Sequence, residues 1–255
     1  MDDLSLLDAT AQAELVQTGQ ATPLELVDAA IARIEALNPD INAVIATDYD
    51  RAREAAASPD LAVGPFKGVP FLIKDIGANQ AGLPYWSGNA ALKAMNHTAD
   101  ADTELGARFR QAGLITLGKT NLPELGSVPT TQPLSCGPTN NPWDLERSPA
   151  GSSGGSAAAV ASGMVPIAHA NDGGGSTRLP AAWNGLVGLK TTRGTVPNPG
   201  NVSRLTSELV VTRTVRDTST LFEAVRGAVD ADLFAGGERH APPSRPLRVL
   251  SLIHI

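Results

Sequence analysis

Residues Ser152 to Ser176 read Ser-Ser-Gly-Gly-Ser-Ala-Ala-Ala-Val-Ala-Ser-Gly-Met-Val-Pro-Ile-Ala-His-Ala-Asn-Asp-Gly-Gly-Gly-Ser, and the rest of the chain is organised around them. A glycine-serine loop opens the stretch, a run of small residues follows, and a second glycine-serine loop, Asp172 to Ser176, closes it. Glycines cluster in this way where a backbone turns sharply or brings bare N–H groups close to something bound. Two such loops, each carrying serines, point to a site. Composition alone fits two flexible surface turns equally well.

The chain around this stretch has 255 residues, enough to bury a substantial core. Its 20 basic and 26 acidic residues leave a net charge of -6, and no lysine- or arginine-rich run marks a nucleic-acid footprint. Aromatic residues are scarce, and alanine and glycine are abundant, as suits closely packed helices and strands. The single cysteine, Cys136, can form no internal disulfide, which suits a reducing, cytoplasmic compartment, and its expected place is the core. The acidic start Met1-Asp2-Asp3 lacks the pattern of a signal peptide. No stretch approaches the roughly 20 apolar residues of a membrane helix, so the expectation is a soluble protein without membrane contact.

Taken in order, Asp8 to Val16 has the spacing of a short amphipathic helix. Thr22-Pro23-Leu24-Glu25 is a capping box with proline at the first helical position, and Leu24, Val27, Ile31, Ile34 and Leu37 follow at helical spacing until Asn38-Pro39 ends the run. Ile41 to Ile45 reads as a strand and Asp48 to Ala57 as a helix. Val69 to Ile73 reads as a buried strand that delivers Lys74 at its end. Asp102 to Ala112 is helical with Gly113 as its cap, and Leu114 to Leu117 is another strand. Pro123 to Pro149, rich in turn residues, should wrap the surface. Ser156 to Gly163 reads as a helix, Val165 to Ala168 as a buried strand and Leu186 to Leu189 as a short one. Asp217 is expected to cap a helix through Leu221, Phe222 and Val225, and Glu238 to Pro246 is linker-like. Apolar strands alternating with helices argue for an α/β layer fold with a largely parallel sheet.

Two literal motifs mislead. Gly113 to Thr120 fits the P-loop pattern, but a P-loop follows a strand and opens a helix, whereas here a helix precedes and strand-like residues intervene. Gly151-Ser152-Ser153-Gly154-Gly155 fits Gly-x-Ser-x-Gly, yet no strand precedes it and no later histidine is well placed. His97 and His169 have no metal-ligand companions, so each is expected at the surface or in packing. Lys74 differs: at the end of an apolar strand it should meet a low dielectric that disfavours its charge. Alone, a strand-end lysine reaching solvent is the commoner arrangement.

Together, Lys74, Ser152 and Ser176 resemble the amidase signature family. The resemblance covers nearly the whole chain and is densest in Gly68-Val-Pro-Phe-Leu-Ile-Lys74-Asp75, Ala112 to Asn121, Asn141-Pro-Trp143 and Gly151 through Lys190. Ala150-Gly-Ser-Ser-Gly-Gly-Ser156 and Asp172-Gly-Gly-Gly-Ser-Thr-Arg178-Leu-Pro180 match that family's two loops, with Ala150, Thr177 and Thr191 as small departures. Family members are roughly twice as long. The resemblance therefore implies an amidase signature fold, a mixed, largely parallel sheet covered by helices, with residues 1–249 as the N-terminal portion of one domain. The last six residues, 250–255, resemble a sequencing-library adapter and are expected to be foreign. Exposed sheet edges then predict that such a piece is poorly stable alone.

In chemical terms the resemblance implies a Ser–Ser–Lys amidase. Ser176 would be the nucleophile, Ser152 (after a cis peptide bond) the relay and neutral Lys74 the base. Backbone N–H groups of Gly173, Gly174, Gly175 and Ser176 would form the oxyanion hole. Asp172 and Arg178 would support it, Gly154 and Gly155 would give the first loop freedom, and Ser153 and Ser156 would serve as loop and helix-cap residues. No metal or organic cofactor is implied. The partner is a small-molecule amide, with no nucleic acid, and a homo-oligomer is compatible. Asn171-Asp-Gly-Gly-Gly looks most like the group containing aminohexanoate cyclic-dimer hydrolases. The alternatives are the catalytic subunit of a glutamyl-tRNA amidotransferase and, more remotely, a P-loop nucleotide-binding protein.

Overall fold

The computed structural model describes residues 3–198 and 205–227. The linker-like run 238–246 and the residues 250–255 lie outside them. A 3-10 turn at Asp3–Leu6 precedes α1 (Ala9–Gln17) and α2 (Pro23–Ile41). Then come β1 (Val44–Thr47), α3 (Tyr49–Ala57), β2 (Pro70–Lys74), α4 (Ala90–Ala94), α5 (Glu104–Gln111) and β3 (Ile115–Thr120). After a long coil with a 3-10 turn at Glu124–Gly126 come α6 (Gly154–Ala161), β4 (Ile167–Asp172), α7 (Arg178–Asn184), β5 (Val187–Gly188), β6 (Ser207–Thr212) and α8 (Val215–Val225).

The strands form one sheet in the order β1-β3-β2-β4-β6-β5. At its centre β3, β2 and β4 run parallel, while β1 and β6 oppose them and β5 runs with them. The sheet is therefore mixed, and helices cover both faces. Alternation along β2 divides the core: Leu72 joins Leu117, Ala168 and Val211 beneath α2, α3 and α6, whereas Phe71 and Ile73 join Leu209 and Val210 beneath α1, α5 and α8. Every residue of β2 is buried, as the continuous apolar run from Val69 predicts.

Local chemistry explains most boundaries. The capping box forms: Glu25 N–H donates to Thr22 Oγ1 at 3.2 Å and Thr22 N–H to Glu25 Oε2 at 2.7 Å. The helix does not stop at Asn38-Pro39, however, but runs to Ile41 and ends on Asn42 in the left-handed region, φ 53°. Asn38 instead steers the chain out of the helix, accepting from the N–H groups of Ala43 and Val44 at 2.8 Å, and the strand begins at Val44, not Ile41. Both later elements also shift: α6 starts at Gly154 and β4 at Ile167. Cys136 is half-buried in coil, not in the core, and Lys93 Nζ donates to its Sγ at 3.3 Å. Lys119 ends the P-loop reading, because it is a fully buried residue of β3 with its amine on Asn79 Oδ1, 3.1 Å, and near Asp75, 3.8 Å.

Asp217 is the clearest correction. Its helix is capped by Thr214, and the Asp217 carboxylate reaches across to α1, accepting from Ala9 N–H at 3.0 Å, Thr10 N–H at 2.9 Å and the Thr10 hydroxyl at 2.6 Å. Asp8, at the cap of α1, in turn accepts from Thr214 Oγ1 at 2.9 Å and from Arg216 at 2.6 Å. Burial works to raise the Asp8 carboxyl, but the Arg216 partnership and the capping bonds outweigh it and bring the pKa down to about 2. Helix α8 thus caps the start of α1, and Asp8 ties that start to Thr214 and Arg216 at the start of α8. Replacing Asp217 with Ala leaves two helix-start N–H groups without an acceptor and should cost about 1–3 kcal/mol, read as a lowered urea midpoint of the full-length protein. Asp217→Asn, which keeps one acceptor oxygen, should lose less.

Candidate active site

The site sits at the C-terminal edge of the parallel strands. Lys74 is the last residue of β2, and its side chain is fully buried. Its Nζ contacts Ser152 Oγ at 2.7 Å, Ser153 Oγ at 3.0 Å and Asn171 Oδ1 at 2.7 Å. Burial pushes the lysine pKa down to about 7, against the opposing charges of Glu208 and Asp172. Asp75, next in sequence, points elsewhere: it accepts from Trp86 N–H at 3.0 Å and faces Lys119. Burial raises its carboxyl to about 6, against the pull of Lys119 and of the N–H groups of Trp86, Gly88 and Ser87.

Ser152 and Ser153 lie in the loop that enters α6, and the Gly151–Ser152 peptide is cis. Gly154 and Gly155 are in the first turn of that helix, and their role is close approach. A Cβ on Gly154 would stand 2.2 Å from Thr131 Oγ1, and one on Gly155 would stand 2.5 Å from Asn121 N. Without side chains there, α6 can press against both segments and bring Ser152 and Ser153 under the lysine. Ser153 occupies the N-cap position, but its side chain makes no cap bond and belongs to the lysine cluster instead. Ser156 makes no cap either; its hydroxyl donates to His169 C=O at 2.7 Å and lies 2.7 Å from Thr120 Oγ1.

The second loop is gathered by Asp172 at the end of β4. Its carboxylate accepts from Gly175 N–H at 2.7 Å, Thr177 N–H at 3.2 Å, and Arg178 Nε and Nη2, both at 2.9 Å. Burial opposes ionisation here, but the Arg178 guanidinium and the loop N–H groups hold the carboxyl well below the usual carboxylate range. Lys190 adds an ammonium 3.5 Å away and donates to the Asp172 and Gly173 carbonyls. Because Gly175 N–H is spent on Asp172, the N–H groups of Gly173, Gly174 and Ser176 are the ones that remain without an acceptor among the described residues. Ser176 is half-exposed and meets the lysine cluster through its backbone, its C=O accepting from Ser153 N–H at 3.1 Å. No hydrogen bond joins its hydroxyl to that of Ser152.

Three contributors were not legible as site residues: Asn171, Glu208 and His169. His169 is buried in β4, with its ring against Phe109 at 5.6 Å and Nε2 2.9 Å from Glu208 Oε2. His97 has no part in the cluster. Among the described residues no group of three or more His, Cys, Asp or Glu side chains is placed to hold a metal ion, and no helix is long and apolar enough to cross a membrane.

The family profile described as Amidase matches residues 25–237. A 6-aminohexanoate-cyclic-dimer hydrolase of Paenarthrobacter ureafaciens is 45% identical over 241 residues, 92% of this chain and 48% of the relative. A solved structure of 6-aminohexanoate cyclic dimer hydrolase superposes with a TM-score of 0.87 at 44% identity, over 96% of this chain and 50% of that one. A glutamyl-tRNA(Gln) amidotransferase subunit of Thermotoga maritima is more distant, with a TM-score of 0.79 and 31% identity over 93% of this chain and 50% of that one. The chain spans about half the length of the curated relatives it matches.

The second loop yields a stability test. Gly175 has φ 130°, a conformation that L side chains rarely adopt, and a Cβ there would meet Leu179 at 3.0 Å. A Cβ on Gly174 would meet nothing within 4 Å. Gly175→Ala should therefore lower the thermal midpoint of the full-length protein by several degrees, for a cost of about 1–3 kcal/mol. Gly174→Ala should leave that midpoint nearly unchanged. Equal midpoints for the two variants would contradict this account of the loop.

Proposed function

The chain belongs to the amidase signature family, and on that premise we propose that the protein carrying it hydrolyses a carboxylic amide through an acyl-enzyme on Ser176. The observation that carries the reading is Lys74: a fully buried amine brought to about 7, 2.7 Å from the Ser152 hydroxyl. A general base works best with a pKa near the working pH, and an ordinary lysine at about 10.4 is far from it.

In the first step Ser176 Oγ attacks the amide carbonyl carbon, its proton passing to Ser152 as the Ser152 proton passes to Lys74. The N–H groups of Gly173, Gly174 and Ser176 are free to bind the developing oxyanion, each such donor being worth about 3–4 kcal/mol. Collapse of the tetrahedral intermediate breaks the C–N bond, and the proton returns from Lys74 through Ser152 to the departing amine. Water repeats the sequence on the ester and releases the acid. The Ser152 and Ser176 hydroxyls need to close on each other only when substrate is bound, since catalytic hydrogen bonds are often long in free enzymes. Asp172, pinned by Arg178 and Lys190, fixes the loop that presents Ser176.

Higher identity to the hydrolase than to the amidotransferase subunit favours direct hydrolysis, so a substrate screen begins with short linear and cyclic amides, including the 6-aminohexanoate cyclic dimer. Ammonia release from glutamine only in the presence of partner subunits and ATP would favour the amidotransferase reading instead.

The pH dependence has a defined sign. Protonated Lys74 has no lone pair to accept with, so kcat/KM should rise with pH through about 7 and level off above it. Lys74→Arg should be as inactive as Lys74→Ala, because arginine stays charged. Turnover retained by Lys74→Arg would reduce the residue to a fixed positive charge. In parallel, a fluorophosphonate probe should label the full-length wild-type protein but not Ser176→Ala. Labelling of that variant at the wild-type rate would remove Ser176 as the nucleophile.

A further inference from the structure

Behind Lys74 runs a buried polar chain that hydrolysis does not consume. A neutral amine has two N–H donors and one lone pair, and Lys74 Nζ has three partners within 3.0 Å. Asn171 Oδ1 can only accept, so it takes one N–H. The Ser153 hydroxyl points its own proton at the Asn171 carbonyl, 3.3 Å, so its oxygen takes the second. The lone pair is left to the Ser152 hydroxyl.

This outcome depends on which way the Asn171 amide faces. Turned over, it would present Nδ2 to the lysine and claim the lone pair. Strand register decides the matter: Asn171 of β4 stands directly opposite Glu208 of β6, and its Nδ2 donates to Glu208 Oε1 at 3.3 Å. Glu208 also accepts from Asn198 Nδ2 at 3.2 Å, and its other oxygen meets His169 Nε2 at 2.9 Å. Burial keeps the imidazole neutral against the pull of Glu208, so it offers the carboxylate one N–H. Glu208 is thus surrounded by donors and has no hydrogen to give the amide.

We propose that Asn171, held by Glu208 and the buried His169, is a positioning residue that aims the Lys74 lone pair at Ser152. The proposal rests on Lys74 acting as the base. The charges that bear on Lys74 are those of Glu208 on β6 and Asp172 at the end of β4, and both favour the ammonium.

Two near-isosteric variants of the full-length protein then have opposite signatures. Asn171→Asp places a carboxylate on the amine and should move the rising limb of the kcat/KM profile to higher pH by at least about one unit. Glu208→Gln removes a charge that favours the ammonium and should move the limb to lower pH. It also frees the amide to turn, so the plateau kcat should fall about tenfold or more with KM within about twofold. Limbs that stay in place, or that move the same way, overturn the proposal. A variant that fails to fold does not leave it untested, because neutron diffraction on wild-type crystals above pH 8 should place Asn171 Nδ2 toward Glu208. Nδ2 toward Lys74 overturns it. Absence of acyl-enzyme in the wild type would instead sink the hydrolytic reading, whereas wild-type acylation with unmoved limbs sinks only the positioning role.

Discussion

The structure turns on one unfavourable burial. An ammonium taken out of water loses several kcal/mol of solvation, and a lysine without a directly paired anion can avoid most of that loss by shedding its proton. Lys74 is carried into such a place by β2, flanked by β3 and β4 in the middle of the sheet. Its amine is accommodated by hydroxyls and an amide, not by a contacting carboxylate. Those groups are delivered from two other elements: Ser152 and Ser153 from the entry to α6, Asn171 from β4. The close approach of α6, permitted by Gly154 and Gly155, is therefore as necessary to the basicity of Lys74 as the lysine itself.

Asp172 solves the opposite problem. It is equally buried, yet five N–H donors and two cations favour its ionised form. An amine whose charge is disfavoured by burial and a fixed anion thus stand at the C-terminal ends of β2 and β4. The anion spends Gly175 N–H on holding the turn and leaves the N–H groups of Gly173, Gly174 and Ser176 uncommitted among the described residues. Division of labour among neighbouring amides follows from which of them the carboxylate claims.

What could be read from the sequence was local. Thr22 and Glu25 are three residues apart, so their reciprocal cap is visible in one turn, and Val69 to Lys74 reads as a buried strand without knowledge of its neighbours. Resemblance singled out Ser152, Ser176, Asp172 and Arg178 in the two glycine-serine loops, and Lys74 at the end of Gly68 to Asp75. Pairings across the sheet were not visible. Glu208 lies in Ser207–Thr212, a strand that alternation did not reveal because all of its residues are buried, and its meaning comes only from register with Asn171. Ser153 and Asp217 stood at positions where a helix cap was the natural reading, and both were drawn to distant partners by stronger demands: a buried amine in one case, the bare start of α1 in the other. Pro39 could be kept inside α2 because Asn38 took over the work of ending it.

The capping of α1 by Asp217 has a consequence in time. Asp217 and its acceptor contacts on Ala9 and Thr10 are separated by 208 and 207 residues of chain. On a ribosome adding about 5–20 residues each second, α1 emerges many seconds before the carboxylate that completes its first turn. Until then α1, with Ala9 and Ala13 on its apolar side, lacks both the Asp217 acceptor and the Leu221 and Val225 surface it packs with. Helix α1 is thus made well before the carboxylate that secures it, and a nascent chain must hold that face in waiting while the sheet assembles.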